Sequence, residues 1–381
     1  MPKRIVIIVG TRPNFIKITQ FEKEFAKYED EFVYKLVHTG QHYDKNMSAL
    51  FFEQLQLKKP DVTLNIKGKS PSDQIGTIII QLSELFKEWQ PDLAVVVGDV
   101  NSTLAAAIAA NKGGIRIAHL ESGLRSFDRE MPEEINRLLT DTITDEFFIT
   151  EQSGLDNLSK ELTRKAGLHF VGNTMIDTLV AFDKDIQADN ILEEIKVAKG
   201  GYALMTMHRP RNVDTKESLL KIIEIINNIT KNSQLVFPIH PRTKKSLEKH
   251  GLFQQVENNP AVILTKPLGY LAFQKLIADS KYVITDSGGI QEETTYRQVP
   301  CLTLRPNTER PSTITIGSNE LVPFDPVIIR EKIQAIHDGT YKKGEIPPLW
   351  DGQATERIVA TMATILKVKK PLSKGETSLI V

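Results

Sequence analysis

The chain has 381 residues, enough for two domains of ordinary size, and 40% hydrophobic and 25% charged content is that of a globular protein. Its 48 basic and 48 acidic residues cancel, so charge gives no reason to expect a nucleic-acid or anionic-membrane partner. The one cysteine, Cys301, excludes an intramolecular disulfide and a cysteine-built metal cluster, and its apolar run 299–304 reads as a buried structural position.

The first half alternates strand and helix. Lys3-Arg4 and the apolar run 5–9 faintly resemble a signal peptide, but the run is too short and meets Thr11-Arg12-Pro13, so 4–9 is read as the first strand. A helix is expected over 14–28, a strand over 33–38, and a helix over 44–55. Ile75, Ile78, Ile79, Leu82, Leu85 and Phe86 recur at helical spacing and predict a long helix over 72–89. The run 93–97 has no polar alternation, as a central parallel strand requires. Helices at 103–112 and 133–142 and strands at 115–120, 146–149 and 168–171 complete this half.

A polar stretch, 183–199, is expected to separate a second series. It has strands at 202–207, 235–239, 262–264, 281–285 and 300–304, with helices at 216–230, 242–250, 271–278, 292–297 and 326–337. A last helix near 354–367 fits either half, and the tail from Lys369 is polar. No run is long enough to span a membrane, and a cytoplasmic protein is expected. Alternating βα units predict an α/β protein of two doubly wound parallel sheets with a cleft between them, so chemistry is sought just after the strands.

Asp286-Ser287-Gly288-Gly289 joins a strand to a helix start at Glu292. Free N–H groups, the helix dipole and two glycines without a Cβ make such a turn an anion site; a capped αβ turn is the plain alternative. Glu293 follows where a carboxylate can accept hydrogen bonds from ribose hydroxyls. Gly10 to Lys17 is neither G-x-G-x-x-G nor a Walker loop, but Arg12 and Lys17 flank a helix start and suit phosphate. Asp99, Glu121 and Glu133 sit at strand or helix ends on one rim, and paired acids in a cleft suit general acid–base work. Glu134 is read as complementing the helix dipole. His208 closes a strand and suits a pyrophosphate or a proton transfer, and Arg310 adds a cation. His38, His42, His119 and His240 also follow strands, without metal-ligand spacing.

Together these segments resemble the non-hydrolysing UDP-N-acetylglucosamine 2-epimerase family. The matching motifs are Gly10 to Pro13 with Lys17, Gly98-Asp99, His119 to Arg125, Pro132 to Arg137, Gly172 to Thr174, His208-Arg209, Asp286 to Glu293 and Thr308 to Pro311, in family order over nearly the whole chain. The resemblance implies a GT-B fold of two Rossmann-like domains, 1–172 and 173–354, with the C-terminal helix, 355–381, crossing back to the first. It implies a homodimer, a UDP-sugar substrate, and no metal, nicotinamide or other cofactor. It implies that Asp99, Glu121 and Glu133 are acid–base carboxylates and that His208 acts near the leaving diphosphate. Arg12, Lys17, Arg137, Ser287, Gly288, Gly289 and Arg310 match substrate, nucleotide or phosphate contacts, Glu293 a ribose contact and Phe273 a contact near the uracil.

The implied reaction interconverts UDP-GlcNAc and UDP-ManNAc through 2-acetamidoglucal, for surface polysaccharide synthesis. A close variant uses UDP-2,3-diacetamido-2,3-dideoxy-glucuronate, and Arg12 to Lys17 with Gly40 to Asp44 resembles that branch. A GT-B glycosyltransferase shares the fold but needs an acceptor groove and no carboxylate trio; a non-enzymatic nucleotide-sugar sensor needs no trio either. Leu268 stands where the family often has glutamine. Asp44 and Pro210 depart from the pattern of a second, activating UDP-GlcNAc pocket, of which Gln41 and His240 remain.

Overall fold

The computed structural model of the protein describes residues 1–28, 30–41, 52–66 and 70–368. The chain forms two compact units. The first comprises Met1–Leu124, Asp128–Thr178 and the segment from Asp351; the second comprises Arg125–Phe127 and Leu179–Trp350.

In chain order the first unit contains β1 (Lys3–Val9), α1 (Arg12–Ile16), α2 (Phe21–Phe25), β2 (Phe32–His38), β3 (Val62–Thr63), α3 (Pro71–Trp89), β4 (Leu93–Val97), α4 (Asn101–Lys112), β5 (Arg116–Ser122), α5 (Pro132–Ile143), β6 (Glu146–Ile149), α6 (Gln152–Glu161) and β7 (Gly167–Phe170). Helix α7 (Thr174–Ala181) leads out of it. The seven strands pair in the order β3-β2-β1-β4-β5-β6-β7, all parallel. Leu93 to Val97 are all fully buried, as a strand covered by helices on both faces must be. Ser70 starts α3 in a capping box: its hydroxyl accepts from the Asp73 N–H at 3.1 Å, and Pro71 takes the first-turn position.

The second unit contains α8 (Asp183–Ala188), α9 (Ile191–Glu194), β8 (Tyr202–Thr206), α10 (Pro210–Val213), α11 (Lys216–Ile229), β9 (Gln234–Pro238), α12 (Pro241–Lys249), α13 (Phe253–Glu257), β10 (Val262–Thr265), α14 (Tyr270–Asp279), β11 (Tyr282–Thr285), α15 (Gly288–Arg297), β12 (Cys301–Thr303), α16 (Ser312–Thr315), β13 (Asn319–Leu321) and α17 (Pro326–His337). Its parallel strands run β10-β9-β8-β11-β12-β13. Helix α18 (Ala354–Ile365) belongs to the first unit, where it packs on α2. Its first N–H groups, of Ala354 and Thr355, donate to the buried carboxylate of Asp177 on α7.

In each sheet the strand order reverses beside the first strand, at β1/β4 and at β8/β11. The carboxyl edge there is where ligands bind in doubly wound folds.

Some expectations needed correction. The helix expected over 14–28 is broken after Ile16, because the Thr178 hydroxyl donates to the Ile16 carbonyl that the next turn would use. The polar stretch 183–199 does lie between the two strand series, but it is folded into the second unit: Ile186 and Ile191 are buried, and α8 and α9 pack on α14. The helix expected over 44–55 falls largely outside the described residues, as do His42, Asp44 and the tail from Lys369. Among the described residues, no helix is long and apolar enough to cross a membrane.

Candidate active site

At the switch point of the first sheet, Asn14 organises the turn after β1. Its side-chain oxygen accepts from the Gly10 and Thr11 N–H groups, each at 3.1 Å, and its amide donates to the Val97 carbonyl at 3.2 Å. The turn carrying Arg12 and Lys17 is thereby tied to the end of β4. Burial lowers the pKa of the Arg12 guanidinium. Lys17 is buried and forms an ion pair with Glu121. Glu121 itself holds φ +70°, a region that costs a non-glycine residue about 1–3 kcal/mol and is commonest at working sites.

Asp99 follows Gly98, whose φ of +71° glycine adopts without the steric cost a side chain would bring. A Cβ there would lie 3.1 Å from the Asn14 amide nitrogen, 3.4 Å from Lys17 Nζ and 3.8 Å from Glu121 Oε2, so Gly98 lies against the Lys17–Glu121 pair. The Asp99 carboxylate is held by Arg137, and its carbonyl accepts from the Asn136 amide at 2.9 Å. Arg137 is almost fully buried and also donates to Glu134, from Nε at 3.1 Å and Nη2 at 2.6 Å. Glu134, expected only to complement the helix dipole, is therefore the buried partner of Arg137, while Glu133 is exposed. The structure thus gathers Lys17, Asp99, Glu121 and Arg137 at the carboxyl ends of β4 and β5.

The second sheet presents its own group at β8/β11. His208 Nδ1 lies 2.8 Å from Asp286 Oδ1. Asp286 is fully buried and also accepts from the His208 N–H at 3.0 Å, the Arg209 N–H at 2.9 Å and the Asn212 amide at 3.1 Å. Burial alone would raise its pKa; the hydrogen bonds and charge of His208, with the backbone donors, outweigh this and hold it below the usual carboxylate range. The His240 ring lies tilted beside His208, centroids 5.6 Å apart, and burial, followed by the His208 charge, lowers its pKa.

Ser287 is the N-cap of α15, and its hydroxyl does not cap the helix. A Cβ on Gly288 would come within 3.1 Å of Arg310 Nη1 and Glu309 Oε1 and 3.5 Å of Arg305 Nη1, so the start of α15, with Gly289 in its first turn, faces an arginine cluster. Arg310 Nε lies 2.9 Å from Glu292, and Arg310 also pairs with Glu309. Arg305 is buried and pairs with Glu309 at 3.0 Å, while its Nε and Nη1 have no hydrogen-bond partner among the described residues. Glu293 is buried on the same helix, and desolvation pushes its pKa up to about 7. Phe273 and Leu268 are partly buried against the core of this unit.

Sequence reasoning gave Asn14, Asp286 and Arg305 no site role. Asn14 had a signal in its spacing, three residues beyond Thr11; Asp286 acts through His208, which only the fold brings near, and Arg305 pairs with Glu309, four residues on. A second cleft, of about 680 Å³, opens on the first unit at the amino-terminal ends of β5 to β7, lined by Arg116, Asp145, Glu146 and Arg164. It lies at the opposite ends of the strands from this chemistry.

Residues 24–363 match the family model described as UDP-N-acetylglucosamine 2-epimerase. The chain belongs to that family. A UDP-N-acetylglucosamine 2-epimerase of Methanococcus maripaludis is 43% identical over 328 residues, 85% of this chain and 88% of the relative. A UDP-2,3-diacetamido-2,3-dideoxy-D-glucuronate 2-epimerase of Pseudomonas aeruginosa is 38% identical, over 95% of this chain and 100% of the relative. The crystal structure of the Methanocaldococcus jannaschii UDP-GlcNAc 2-epimerase with UDP-GlcNAc and UDP superposes with a TM-score of 0.84 at 38% identity, over 95% and 99% of the two chains. The fold is of the GT-B type, and the family's members are isomerases rather than glycosyltransferases.

Proposed function

We propose that the protein is a non-hydrolysing UDP-sugar 2-epimerase that interconverts UDP-GlcNAc and UDP-ManNAc. The observation that carries this reading, beside family membership, is the set of paired carboxylates at the ends of β4 and β5: Asp99 held by Arg137 and Glu121 held by Lys17. Proton removal from C2 of an N-acetylated sugar is difficult in isolation. It becomes feasible when the C1–O bond breaks together with it, so that UDP departs with the bonding pair and 2-acetamidoglucal remains. A carboxylate of the Asp99, Glu121 and Glu133 set takes the C2 proton. Return of a proton to the opposite face of C2, with re-addition of UDP at C1, gives the epimer.

The departing diphosphate needs compensating charge. The start of α15 with Ser287, Gly288 and Gly289 supplies backbone N–H groups, and Arg12, Arg310 and His208 supply cationic or hydrogen-bonding side chains. Asp286 fixes the His208 ring so that Nε2 is the nitrogen left for substrate. Glu293 receives the ribose hydroxyls and Phe273 the base. The product serves surface polysaccharide synthesis, the protein acts as a homodimer, and it needs no added cofactor.

A second reading, epimerisation of UDP-2,3-diacetamido-2,3-dideoxy-glucuronate, is favoured by the segment Arg12 to Lys17 and by the Pseudomonas relative matched over its full length. Incubation with each UDP-sugar in D2O, followed by NMR, tests both. The expected result is deuterium at C2 of the epimerised UDP-GlcNAc pool. Asp99→Asn, Glu121→Gln and Glu133→Gln should each lose about two orders of magnitude in rate or more. Retention of the original C2 hydrogen would sink the elimination route, and turnover of the glucuronate alone would favour the second reading.

A further inference from the structure

His119 is wholly buried in β5, one position from Leu120 and two from Glu121. Its Nδ1 lies 2.7 Å from Asp141 Oδ1 on α5, and its Nε2 lies 2.7 Å from the Gly98 carbonyl. A backbone carbonyl only accepts, so Nε2 carries a proton. The partner of Nδ1 is a carboxylate, whose other oxygen, Oδ2, accepts from the Gly123 N–H at 3.2 Å. With the Asp141 carboxylate ionised, both ring nitrogens are donors and the pair is an imidazolium–carboxylate pair.

The two ends of this bridge are not arbitrary points. Gly98 directly precedes Asp99, and its own N–H donates to the Leu120 carbonyl at 3.0 Å. Gly123 lies two residues after Glu121 and holds φ +79°; a Cβ there would meet the Gly154 carbonyl at 2.4 Å, so this turn has one permitted path. Helix α5, which carries Asp141, also carries Asn136 and Arg137, the groups that hold the Asp99 carbonyl and carboxylate. One helix and one histidine therefore fix the backbone of both carboxylate-bearing turns.

We propose that His119 is a positioning residue: doubly protonated, it spans from Asp141 to the Gly98 carbonyl and sets the spacing of Asp99 and Glu121 for the two proton transfers at C2. This rests on the epimerase reading. The Lys17–Glu121 and Arg137–Asp99 pairs fix the carboxylate heads; the His119–Asp141 pair fixes the main chain from which they project. Proton abstraction and return need the two faces of one carbon to be reached without reorganisation, so a small change in this spacing costs rate more than affinity.

Asp141→Asn separates the protonation of the bridge from its shape. The asparagine amide nitrogen meets a donor whichever way it points, either the Gly123 N–H or Nδ1–H. The strain is relieved when His119 gives up its Nδ1 proton and accepts from the amide, which keeps the Nε2 bond but removes the cation.

The test has two arms. In protein labelled with 15N-histidine, one ring, assigned by its absence in His119→Asn, should show both nitrogens protonated. In Asp141→Asn the same ring should have a bare Nδ1. Kinetically, Asp141→Asn should lower kcat at least about tenfold with KM and UDP affinity within about twofold. A bare Nδ1 in the parent protein, or an unchanged kcat in a folded Asp141→Asn, overturns the proposal. If Asp141→Asn does not fold, the ring nitrogens of the parent decide. If no UDP-sugar is turned over by the parent, the epimerase reading has failed instead, and the NMR arm still decides the bridge.

Discussion

Glu293 sets a pH dependence that can be worked out in advance. Its carboxyl is buried on α15, and desolvation raises its pKa from 4.5 to about 7. The folded protein therefore holds this proton more tightly than the unfolded chain does. The associated stability is complete below pH 4.5, declines as pH rises, and is gone above about 7; the span is on the order of 3 kcal/mol. Glu293→Gln should accordingly be more stable than the parent at pH 8 and close to it at pH 4.5, by chemical denaturation. Ribose hydroxyls donate to the ionised form, so UDP binding at pH 6 should release a proton. Calorimetry in two buffers of different ionisation enthalpy would detect it; the terminal phosphate of UDP also gives up a proton near this pH, so the parent should release more than Glu293→Gln, and an equal release from both would remove Glu293 from the ribose site. At this scale the sequence was informative about which side chains end strands, since strand and turn patterns are local. It was silent about Asp286 and Arg305 as partners. Asp286 meets the His208 backbone 78 positions away in sequence, and no short window contains both.

Among the elements, the start of α15 carries the most direct test. Gly288 leaves just enough room for Arg310 and Glu309, 3.1 Å from where a Cβ would be. Valine places two further methyl groups there, in the space a phosphate would take. Gly288→Val should keep the parent's circular dichroism and weaken UDP binding at least about tenfold, by titration calorimetry; undiminished affinity in the folded variant would move the phosphate site elsewhere. The strand-turn-helix signature at 281–297 was legible because glycine, serine and a β-branched run each act over a few residues. The helix expected over 14–28 was not, because what stops it is the Thr178 hydroxyl at the Ile16 carbonyl, supplied from a distant helix. Glu133 and Glu134 show the same limit: adjacent acids at one helix start look alike in sequence. The facing of α5 buries Glu134 on Arg137 and leaves Glu133 exposed.

For the whole molecule, the two parallel sheets followed from the βα alternation, while the helices at 183–194 did not, since their apolar positions are sparse among charges. Regulation is a property of this scale. The family-like second pocket would meet Asp44 where a neutral amide is usual and Pro210 where an arginine is usual. Adding an anion and removing a cation beside a diphosphate opposes its binding, and an effector shifts an equilibrium only by its differential affinity. Initial rates should therefore be hyperbolic in substrate, and the reverse reaction should start without added UDP-GlcNAc. A lag relieved by a trace of UDP-GlcNAc, or a sigmoidal curve, would show that the pocket works despite both residues.

The docking of α18 on the first unit governs how the protein comes off the ribosome. The strands of that unit are translated first, yet its last helix is encoded beyond Trp350, after all of the second unit. Asp177 must wait for the N–H groups of Ala354 and Thr355 to emerge before its buried carboxylate is satisfied. At roughly 5–20 residues per second, that is a delay on the order of ten seconds or more. The second unit, made later, has all its segments in hand earlier, because none of them follows Trp350. A nascent chain stalled there would hold one finished half and one still open, and the half made first would be the one left open.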